Sequence, residues 1–328
     1  MPITVVGSIA YDAVKTPFGE RERMLGGAAV HFALAASFFD EVRVVGPVGE
    51  DFGESEIDVL RRRGVGVADI ERIAGGKTFF WRGEYGWDLN SRETLDTQLG
   101  VFEGFEPKLS DQSRESEVLF LANIQPGLQR DVREQMPDAR FVALDSMNLW
   151  IDIARDELVD AIERVDCLIL NDAELRQLTG RPNLVSAARE ILNWKASGAG
   201  GSAGEGAGGR GPSVIVAKQG EYGAALVTAE TFFALPAYPL ETVIDPTGAG
   251  DTFAGGFVGY IAAHSDHELT DDLLRRAMAH GTALASFNVE EFGTERIERL
   301  EGEEISARVR ELSEITSFSG APLARLRG

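Results

Sequence analysis

Short runs of β-branched and other apolar residues alternate along the chain with stretches in which apolar positions recur at helical spacing. The apolar runs predict buried strands at residues 3–6, 42–45, 118–121, 141–144, 167–170 and 214–217. The amphipathic stretches predict helices at residues 28–39, 54–63, 156–164, 172–179, 185–195, 251–264 and 271–287. Strands that alternate with helices are typical of a mostly parallel sheet covered by helices on both faces. The pattern therefore predicts an α/β fold of that kind.

Three segments interrupt this alternation. Residues 77–90 are aromatic and extended, and residues 11–25 also favour strand or turn over helix. Together, as parts of about 11–25 and 77–103, they predict a small separate sheet, and a sheet above a cleft can act as a lid. Residues 197–211 are a Gly/Ala/Ser tract that cannot pack, which predicts a flexible surface loop.

Charge and length restrict the partners and the domain count. The chain has 328 residues, with 32 Lys and Arg against 53 Asp and Glu, for a formal charge of −21. A nucleic-acid binder or a binder of anionic membranes needs a basic surface, so this composition argues against both, although a small local anion site is still allowed. The length alone fits about two domains, but the continuous pattern favours one domain over residues 1–328.

Cysteine content and apolar run length bear on location. Cys167 is the single cysteine, which excludes an intrachain disulfide framework and a cysteine-based metal cluster. No basic stretch followed by a long apolar run opens the sequence, so no secretory signal is expected. The longest apolar runs, residues 28–39 and 253–263, are far shorter than the ~20 residues that span a bilayer. We expect a cytoplasmic protein.

Residues 245–257 (DPTGAGDTFAGGF) carry the strongest chemical signal. A strand-like run at residues 241–244 leads into a glycine-containing turn, and a helix of small and apolar residues follows. Gly248 and Gly250 allow backbone N–H groups to converge at the helix start, which makes an anion site that needs no Lys or Arg. Asp251 in the first turn is placed to accept a proton from an attacking hydroxyl while those N–H groups stabilise a transferred phosphoryl group. The alternative is an ordinary βα turn with Asp251 as a helix cap.

This stretch resembles the second signature of the PfkB (ribokinase-like) family of carbohydrate and nucleoside kinases. Other parts of the family pattern follow in order at residues 6–12 (VGSIAYD), 26–31 (GGAAVH), 45–53 (VGPVGEDFG), 170–174 (LNDAE) and 217–224 (AKQGEYGA). The resemblance implies a ribokinase-like three-layer α/β/α sandwich with a mostly parallel central sheet and a small β-sheet lid.

The resemblance also implies roles for individual residues. Asp251 would be the general base, and the N–H groups of Gly248, Ala249, Gly250 and Asp251 would form the anion hole. The residues that bind the substrate would be Asp12, Gly26, Gly27 and His31. The residues that bind ATP would be Asn171, Glu174, Lys218, Gly220, Gly223 and His280. Glu174 would act on Mg²⁺ through water, because Mg²⁺ tends to keep its waters. Asp245 and Thr247 match positions that bind K⁺ in family members.

Several of these residues have a purely structural alternative. His31 stands where ribokinases usually carry Asn, and it is also compatible with a satisfied core histidine. Asn171 and Glu174 have the spacing of a helix capping box, which can coexist with a binding role. Asn123 and Asn148 follow predicted strands, so each is either a residue of the cleft or a simple loop residue.

The aromatic side chains of the predicted lid leave the acceptor open. Either these rings only pack within the sheet, or one of them stacks on a sugar or a base. Arg82 is a second candidate for a contact with the substrate, and the alternative is that it faces solvent. The aromatic positions are Phe79, Phe80, Trp81, Tyr85 and Trp87.

The leading interpretation is an ATP-dependent kinase that phosphorylates a hydroxyl, expected to be a primary one, of a sugar or sugar-like molecule. The alternatives are a nucleoside kinase of the same fold and a non-catalytic member that binds nucleotide or sugar. A Rossmann oxidoreductase would need G-x-G-x-x-G after the first strand, where only Gly7 is present. Expected partners are a small-molecule sugar or nucleoside and, through the lid, a second copy of the chain; no nucleic acid and no membrane are expected.

Overall fold

The computed structural model describes residues 1–197, 211–264 and 268–318. Its strands are β1 Ile3–Val6, β2 Ala10–Thr16, β3 Gly19–Gly26, β4 Val42–Gly49, β5 Gly66–Ile73, β6 Phe79–Tyr85, β7 Arg92–Gln98, β8 Val118–Leu121, β9 Phe141–Asp145, β10 Cys167–Asn171, β11 Val214–Lys218, β12 Ala224–Val227 and β13 Phe232–Leu235. Its helices are α1 Ala28–Ala36, α2 Glu54–Arg62, α3 Asp111–Arg114, α4 Pro126–Gln135, α5 Asn148–Ile153, α6 Arg155–Ile162, α7 Asp172–Thr179, α8 Leu184–Ser197, α9 Ala249–Ala263, α10 Asp271–Asn288, α11 Glu295–Glu298 and α12 Gly302–Thr316. The predicted Gly-rich loop, residues 197–211, lies almost entirely outside the described residues.

The central sheet has the strand order β13-β12-β11-β10-β9-β8-β1-β4-β5 in the described part of the chain. Strands β11 to β5 in this order pair in parallel, and β12 and β13 extend the sheet with antiparallel pairings. All six predicted strands lie in its parallel part. Because parallel strands end at one edge of a sheet, the polar residues that close them are brought to the same edge.

The parallel strands other than the edge strand β5 are buried on both faces. In β8, Val118 and Phe120 pack with α1, α9 and α10, whereas Leu119 and Leu121 pack with α4, α6, α7 and α8 on the other side. The sequence of a strand that is buried on both faces is therefore a continuous run of apolar residues. The predicted three-layer α/β/α sandwich is confirmed.

Helix α9 is held tightly between α1 and α10. It is buried from Thr252 to Ala262. A Cβ atom at Gly255 would lie 2.3 Å from the carbonyl oxygen of Phe32 in α1, and one at Gly256 would lie 2.9 Å from the Cα atom of Gly281 in α10. These neighbours are backbone atoms, so only glycine permits this helix spacing. The close packing fixes the position of the start of α9.

A separate four-stranded sheet, in the order β3-β2-β6-β7, stands apart from the central sheet. Strands β2 and β6 pair in parallel, and the outer pairs are antiparallel. It forms from the two segments that the sequence pattern assigned to a small sheet, and we call it the lid sheet. Its closing motion and the exact limits of the lid stay predictions.

One predicted local element is wrong. Residues 241–244 form no strand. The N–H groups of Ile244 and Asp245 donate instead to the carbonyl oxygen of Val289, at the end of α10, at 2.8 and 3.4 Å. The segment is therefore an extended loop that crosses to a helix end and has no strand partner. Among the described residues, no helix is both long and apolar enough to cross a membrane.

Candidate active site

Three polar side chains meet at the carboxyl edge of the central sheet. Asp145 is the last residue of β9, Asn171 the last of β10 and Lys218 the last of β11. These strands are neighbours in the sheet, so their ends lie side by side. This edge is where open α/β sheets bind ligands.

The lid sheet touches the main body beside that edge. Thr247 Oγ1 donates to the hydroxyl oxygen of Tyr85 at 3.2 Å. Asn90, in the loop between β6 and β7, donates to Glu221 Oε1 at 3.0 Å, in the turn that follows β11. The lid sheet thus contacts both the turn before α9 and the predicted nucleotide turn.

The turn at Gly248 has the geometry of an anion site. Gly248 is the N-cap of α9 with φ of 74°, and a Cβ there would lie 2.3 Å from the His31 ring, so the backbone angle and the space both require glycine. The first helical hydrogen bond runs from Thr252 N to Gly248 O at 2.8 Å, so the N–H groups of Gly250 and Asp251 precede it. The N–H of Ala249, predicted to join the anion hole, donates to Pro246 O at 3.2 Å.

Asp251 has the protonation behaviour of a base near neutral pH. Its side chain lies in the first turn of α9. Burial, together with the negative charge of Asp145, raises its pKa to about 7, although Lys218 partly offsets the increase. A base whose pKa lies near the working pH is present there in its unprotonated form and still accepts a proton readily.

Asp145 and Lys218 form a buried ion pair that faces this turn. Lys218 Nζ lies 2.8 Å from Asp145 Oδ2, and the side chains are 18% and 5% exposed. A Cβ at Gly250 would lie 3.1 Å from Lys218 Nζ. Lys218 was expected beside the nucleotide, whereas Asp145 was missed. The signal that could have indicated Asp145 is its position, as an acidic residue directly after a predicted buried strand.

Asn171 and Glu174 form the capping box that their spacing predicted. Asn171 Oδ1 accepts from Glu174 N, and Glu174 Oε2 accepts from Asn171 N, both at 2.8 Å. Glu174 is buried, and burial raises its pKa to about 7 against the lowering effect of Lys218. Within the described ranges Oε1 of Glu174 makes no hydrogen bond, so one oxygen is available to a ligand or a water.

Asp12 lies on β2 at the base of the lid sheet. It pairs with Met24 on β3 and with Trp81 on β6. A Cβ at Gly26 would lie 2.0 Å from Asp12 Oδ2, so this carboxylate occupies the space that Gly26 leaves. Burial raises the pKa of Asp12 to about 7, and the charges of Asp245 and Asp251 add to the effect. The three carboxylates are therefore near neighbours.

Gly27 connects Asp12 to the start of α1. Its φ is 98°, and its backbone N–H group has a lowering effect on the pKa of Asp12. A Cβ at Gly27 would lie 2.4 Å from the carbonyl oxygen of Ser8. Both predicted glycines thus shape the surroundings of Asp12.

Asp245 is fully buried and ties the loop before the turn in place. Its Oδ1 accepts from Thr247 N at 2.9 Å, and its Oδ2 accepts from Gly293 N at 3.0 Å. Burial raises the pKa of Asp245. The predicted pair Asp245 and Thr247 thus lies together, with Thr247 between the carboxylate and the lid sheet.

His31 lies behind the Gly248 turn, in the buried face of α1. Its Nδ1 is 3.2 Å from Asn288 Oδ1, which accepts only, so Nδ1 carries the proton. Asn288 also accepts from Thr252 Oγ1 at 2.9 Å and donates to Thr247 O at 2.8 Å. Burial lowers the pKa of His31 to about 4. This network supports the turn, and the substrate-binding role of His31 stays a prediction.

The predicted nucleotide residues lie in two places. Gly220 opens a 3-10 turn after β11, and Gly223 closes it with φ of 97°, where a Cβ would lie 2.1 Å from Leu235 O. His280 is on α10, where its ring stacks on Tyr260 with centroids 4.1 Å apart and its Nδ1 lies 2.8 Å from the carbonyl oxygen of Arg276. The structure does not bring His280 into contact with the Gly248 turn.

The two asparagines that follow strands differ in their surroundings. Asn123 Oδ1 accepts from Trp150 Nε1 at 3.0 Å and is partly buried. Asn148 is exposed at the start of α5. Asn123 is therefore held by a neighbour at the sheet edge, whereas Asn148 faces solvent.

Arg92 at the start of β7 was missed as a site residue. Its guanidinium lies 5.2 Å from the centroid of the Trp81 ring. Its charge lowers the pKa of Asp12, Glu174 and Asp251, so it faces all three. Arg82, singled out from the sequence, is exposed.

The lid aromatics differ in their packing partners and in their exposure. Phe79 stacks on Phe102, which lies outside the lid sheet, with ring centroids 5.6 Å apart. Trp81 and Tyr85 pack with Val14 on the side of the main body. Trp87 is 87% exposed.

The profile of the pfkB family carbohydrate kinases matches residues 3–299. The chain belongs to this family, as its motifs predicted. It is therefore a phosphotransferase that uses an alcohol group as acceptor, in a family whose phosphate donor is ATP.

Individual relatives include both nucleoside and sugar kinases. The cytidine kinase of Thermococcus kodakarensis is 28% identical over 270 residues, which are 79% of this chain and 88% of the relative. The ribokinase of Lactococcus lactis is 26% identical over 271 residues, 78% of this chain and 82% of the relative.

Solved structures share the fold. A nucleoside kinase of Methanocaldococcus jannaschii matches with a TM-score of 0.74 at 18% identity, covering 94% of this chain and 98% of its own. A ribokinase-type protein of E. coli, solved with ATP and Mg²⁺, matches with a TM-score of 0.72 at 19% identity, covering 94% and 99%.

Proposed function

We propose that this protein is an ATP-dependent kinase that transfers the γ-phosphoryl group to a hydroxyl, a primary one, of a sugar or sugar-like small molecule. The observation that carries the proposal is Asp251, a carboxylate with a pKa of about 7 in the first turn of a helix capped by a left-handed glycine. The base and the anion site thus share one turn, as phosphoryl transfer to a hydroxyl requires.

The acceptor lies between Asp12 and Asp251. Asp12, with Gly26 and Gly27 around it, binds hydroxyl groups of the sugar ring. This leaves the hydroxyl to be phosphorylated next to Asp251. The pKa of Asp12 supports this placement, because the charge of Asp251 helps to raise it and the two carboxylates must therefore lie near each other.

Asp251 takes the proton as the hydroxyl oxygen attacks the γ-phosphorus. The new O–P bond forms while the bond between the γ-phosphorus and the β–γ bridging oxygen breaks, and ADP leaves with the electron pair. The N–H groups of Gly250 and Asp251 stabilise the charge on the transferred group. The lid sheet, which contacts the main body at Tyr85 and Asn90, would exclude water from this volume when it closes over the substrate.

The residues at the sheet edge fit Mg²⁺ carried by ATP. In the three described ranges, no set of three or more His, Cys, Asp or Glu side chains is arranged to hold a metal. Phosphate oxygens and water must then supply most ligands, which Mg²⁺ prefers. Glu174, with its unbonded Oε1, would hold one of these waters. When bound, Mg²⁺ neutralises charge on the β- and γ-phosphates.

A K⁺ ion beside the anion hole fits the same loop. Asp245 is buried and its carboxylate accepts two backbone hydrogen bonds, which leaves oxygen lone pairs for a cation. A bound K⁺ would offset this buried negative charge. Asp245 and Thr247 would be its ligands.

A nucleoside is the second candidate acceptor. The identity with a cytidine kinase favours it. In the register of the lid sheet, Asp12 pairs with Trp81, so a pentose bound at Asp12 would carry its base toward the indole ring. Sugar and nucleoside acceptors share the same base and anion hole and differ only at this aromatic position.

A purely binding role is disfavoured because the chain keeps both the residue proposed as the base, Asp251, and the glycine turn proposed as the anion site. Association of two copies through the lid sheet stays a prediction that no contact in the structure tests. Leu95 of the lid sheet is 49% exposed, and Trp87, in the loop between β6 and β7, is 87% exposed.

A panel of acceptors tests the proposal. ADP release from ATP would be measured with sugars, polyols and nucleosides, and the product identified by mass as the acceptor plus one phosphoryl group. We expect one class to be phosphorylated. Binding of ATP without turnover over the whole panel would contradict the kinase assignment and support the binding alternative.

A further inference from the structure

We propose that Lys218 is a catalytic residue whose ammonium group binds the transferred phosphoryl group, and that Asp145 is the positioning residue that holds this ammonium beside the first turn of α9. The inference rests on the proposed kinase function. It goes beyond that function by giving the transition state a side-chain cation and by assigning a role to an aspartate that no motif indicated.

The sheet register explains how the two residues meet. Asp145 pairs with Ile169 on β10, whereas Lys218 pairs with Asn171. Lys218 therefore lies two strands away and about 7 Å further along the strand direction. Its side chain must reach back over the end of β10 to contact Asp145 at 2.8 Å. This places the ammonium group over the centre of the carboxyl edge.

The ammonium group also adjoins the anion site. The 3.1 Å distance from Lys218 Nζ to the Cβ position of Gly250 places the cation against the backbone that precedes the first helical hydrogen bond. A phosphoryl oxygen bound by the N–H of Gly250 or Asp251 would thus lie within reach of Nζ. Side-chain cations and helix N-termini both favour phosphate, and here they face the same volume.

Three carboxylates act on Lys218. Asp145, Glu174 and Asp251 lie on separate elements of the main body. Arg92 of the lid sheet acts on two of them, Glu174 and Asp251. Burial alone would lower the pKa of Lys218, but the three carboxylates outweigh burial and raise it. Lys218 therefore remains protonated throughout the reaction and gives up no proton, while Asp251 receives the proton of the acceptor.

Two simpler roles compete with this one. Lys218 could bind only the parts of ATP that do not react, or the ion pair could only hold the strand ends together. Loss of pure ATP binding raises KM and leaves kcat unchanged, whereas loss of a contact made in the transition state lowers kcat. If the ion pair only holds the strand ends together, its loss would lower stability and would leave the pH profile of a folded variant unchanged.

Kinetics of four variants test the proposal. We expect Lys218→Met to lower kcat about 100-fold or more, with the KM for ATP changed less than about threefold. The kcat of Lys218→Arg should exceed that of Lys218→Met by at least about tenfold, because the positive charge is kept. Asp145→Asn should lower kcat about tenfold, since the ammonium keeps a polar neighbour but loses its charge partner. The matched control is Lys15→Met, which breaks an exposed ion pair of 2.7 Å with Glu84 in the lid sheet and should leave kcat unchanged.

The pH profile of kcat/KM gives a second readout. Asp145 raises the pKa of Asp251 and Lys218 lowers it. The acid limb should therefore move to higher pH in Lys218→Met and to lower pH in Asp145→Asn. Removal of one partner of a buried pair is often destabilising, so thermal unfolding and ATP binding are measured for each variant. If Lys218→Met does not fold, Lys218→Arg and Asp145→Asn decide the question.

Two results would overturn the proposal: an unchanged kcat in a folded Lys218→Met, whether or not KM rises, or acid limbs that stay in place. Asp251→Asn is assayed in parallel to separate the two levels of the account. An inactive Asp251→Asn beside a fully active Lys218→Met would remove the role of Lys218 and leave the kinase function standing. An active Asp251→Asn would contradict the proposed function itself.

Discussion

Thr247 Oγ1 donates a hydrogen bond to the hydroxyl of Tyr85 at 3.2 Å, and this contact joins the lid sheet to the turn that precedes the anion site. The same threonine is held through its backbone, because its N–H donates to Asp245 and its carbonyl oxygen accepts from Asn288. A displacement of the lid sheet therefore acts on a residue that lies directly before Gly248. The position of the lid sheet and the geometry of the anion site are linked at this point.

Replacement of Tyr85 by Phe tests this link. Only the hydroxyl is lost, so the free energy of unfolding should fall by no more than about 1 kcal/mol. We expect the KM for the acceptor to rise about three- to tenfold, because the lid sheet loses the hydrogen bond that joins it to the turn before α9. Steady-state kinetics and thermal unfolding measure the two effects. Glu93→Gln, at an exposed position of β7, is the control; a Tyr85→Phe enzyme indistinguishable from it would refute the link.

Activity should increase with pH through about 7. Burial raises the pKa of Asp251 to about 7, and the proposed base accepts a proton only in its charged form. Below that pH the carboxyl group is protonated, and kcat/KM should fall about tenfold per pH unit. Asp12 and Glu174 also have a pKa of about 7, so the acid limb should be steeper than that of one group. A profile that is flat between pH 5.5 and 8, measured with buffers of constant ionic strength, would argue against Asp251 as the base.

Gly248→Ala should damage the anion site. A side chain at φ of 74° is strained, and the new Cβ would lie 2.3 Å from the His31 ring. We expect a loss of about 1–3 kcal/mol of stability from backbone strain and a fall in kcat of about 100-fold from displaced N–H donors. Gly302→Ala is a matched control, since nothing lies within 4 Å of its Cβ position. Wild-type kcat in a folded Gly248→Ala would show that the turn geometry is dispensable.

The fold was largely predictable because of how its strands are buried. A strand covered on both faces, such as Cys167–Asn171, consists almost entirely of apolar residues and stands out in the sequence. Strand Gly66–Ile73 escaped detection because it is a half-exposed edge strand whose polar residues obscure the pattern. Ala224–Val227 was missed because it contains two alanines and a single β-branched residue, and Phe232–Leu235 because it is a partly exposed edge strand with no β-branched residue.

The site was predictable only where it is local in sequence. Asp251 and its glycines occupy consecutive positions, so the motif contains the geometry. Asp145 and Lys218 are 73 residues apart and meet only because β9 and β11 flank the same strand. Arg92 reaches the carboxylates from a different sheet. Neither pairing leaves a pattern that one sequence can show.

The most direct test of the account is turnover by the Asp251→Asn variant together with its affinity for ATP. Asn keeps the size of the side chain and cannot take the proton from the acceptor. The control is Asp272→Asn, an exposed acid in the first turn of α10 that pairs with Arg276 and should change neither quantity.

The account predicts that Asp251→Asn loses about 100- to 10,000-fold in kcat, the contribution of a general base. Its dissociation constant for ATP, measured by calorimetry at pH 8, should stay within about threefold of the wild-type value, since the backbone N–H groups remain. Near-normal kcat with ATP bound as before would contradict Asp251 as the base, and with it the central claim.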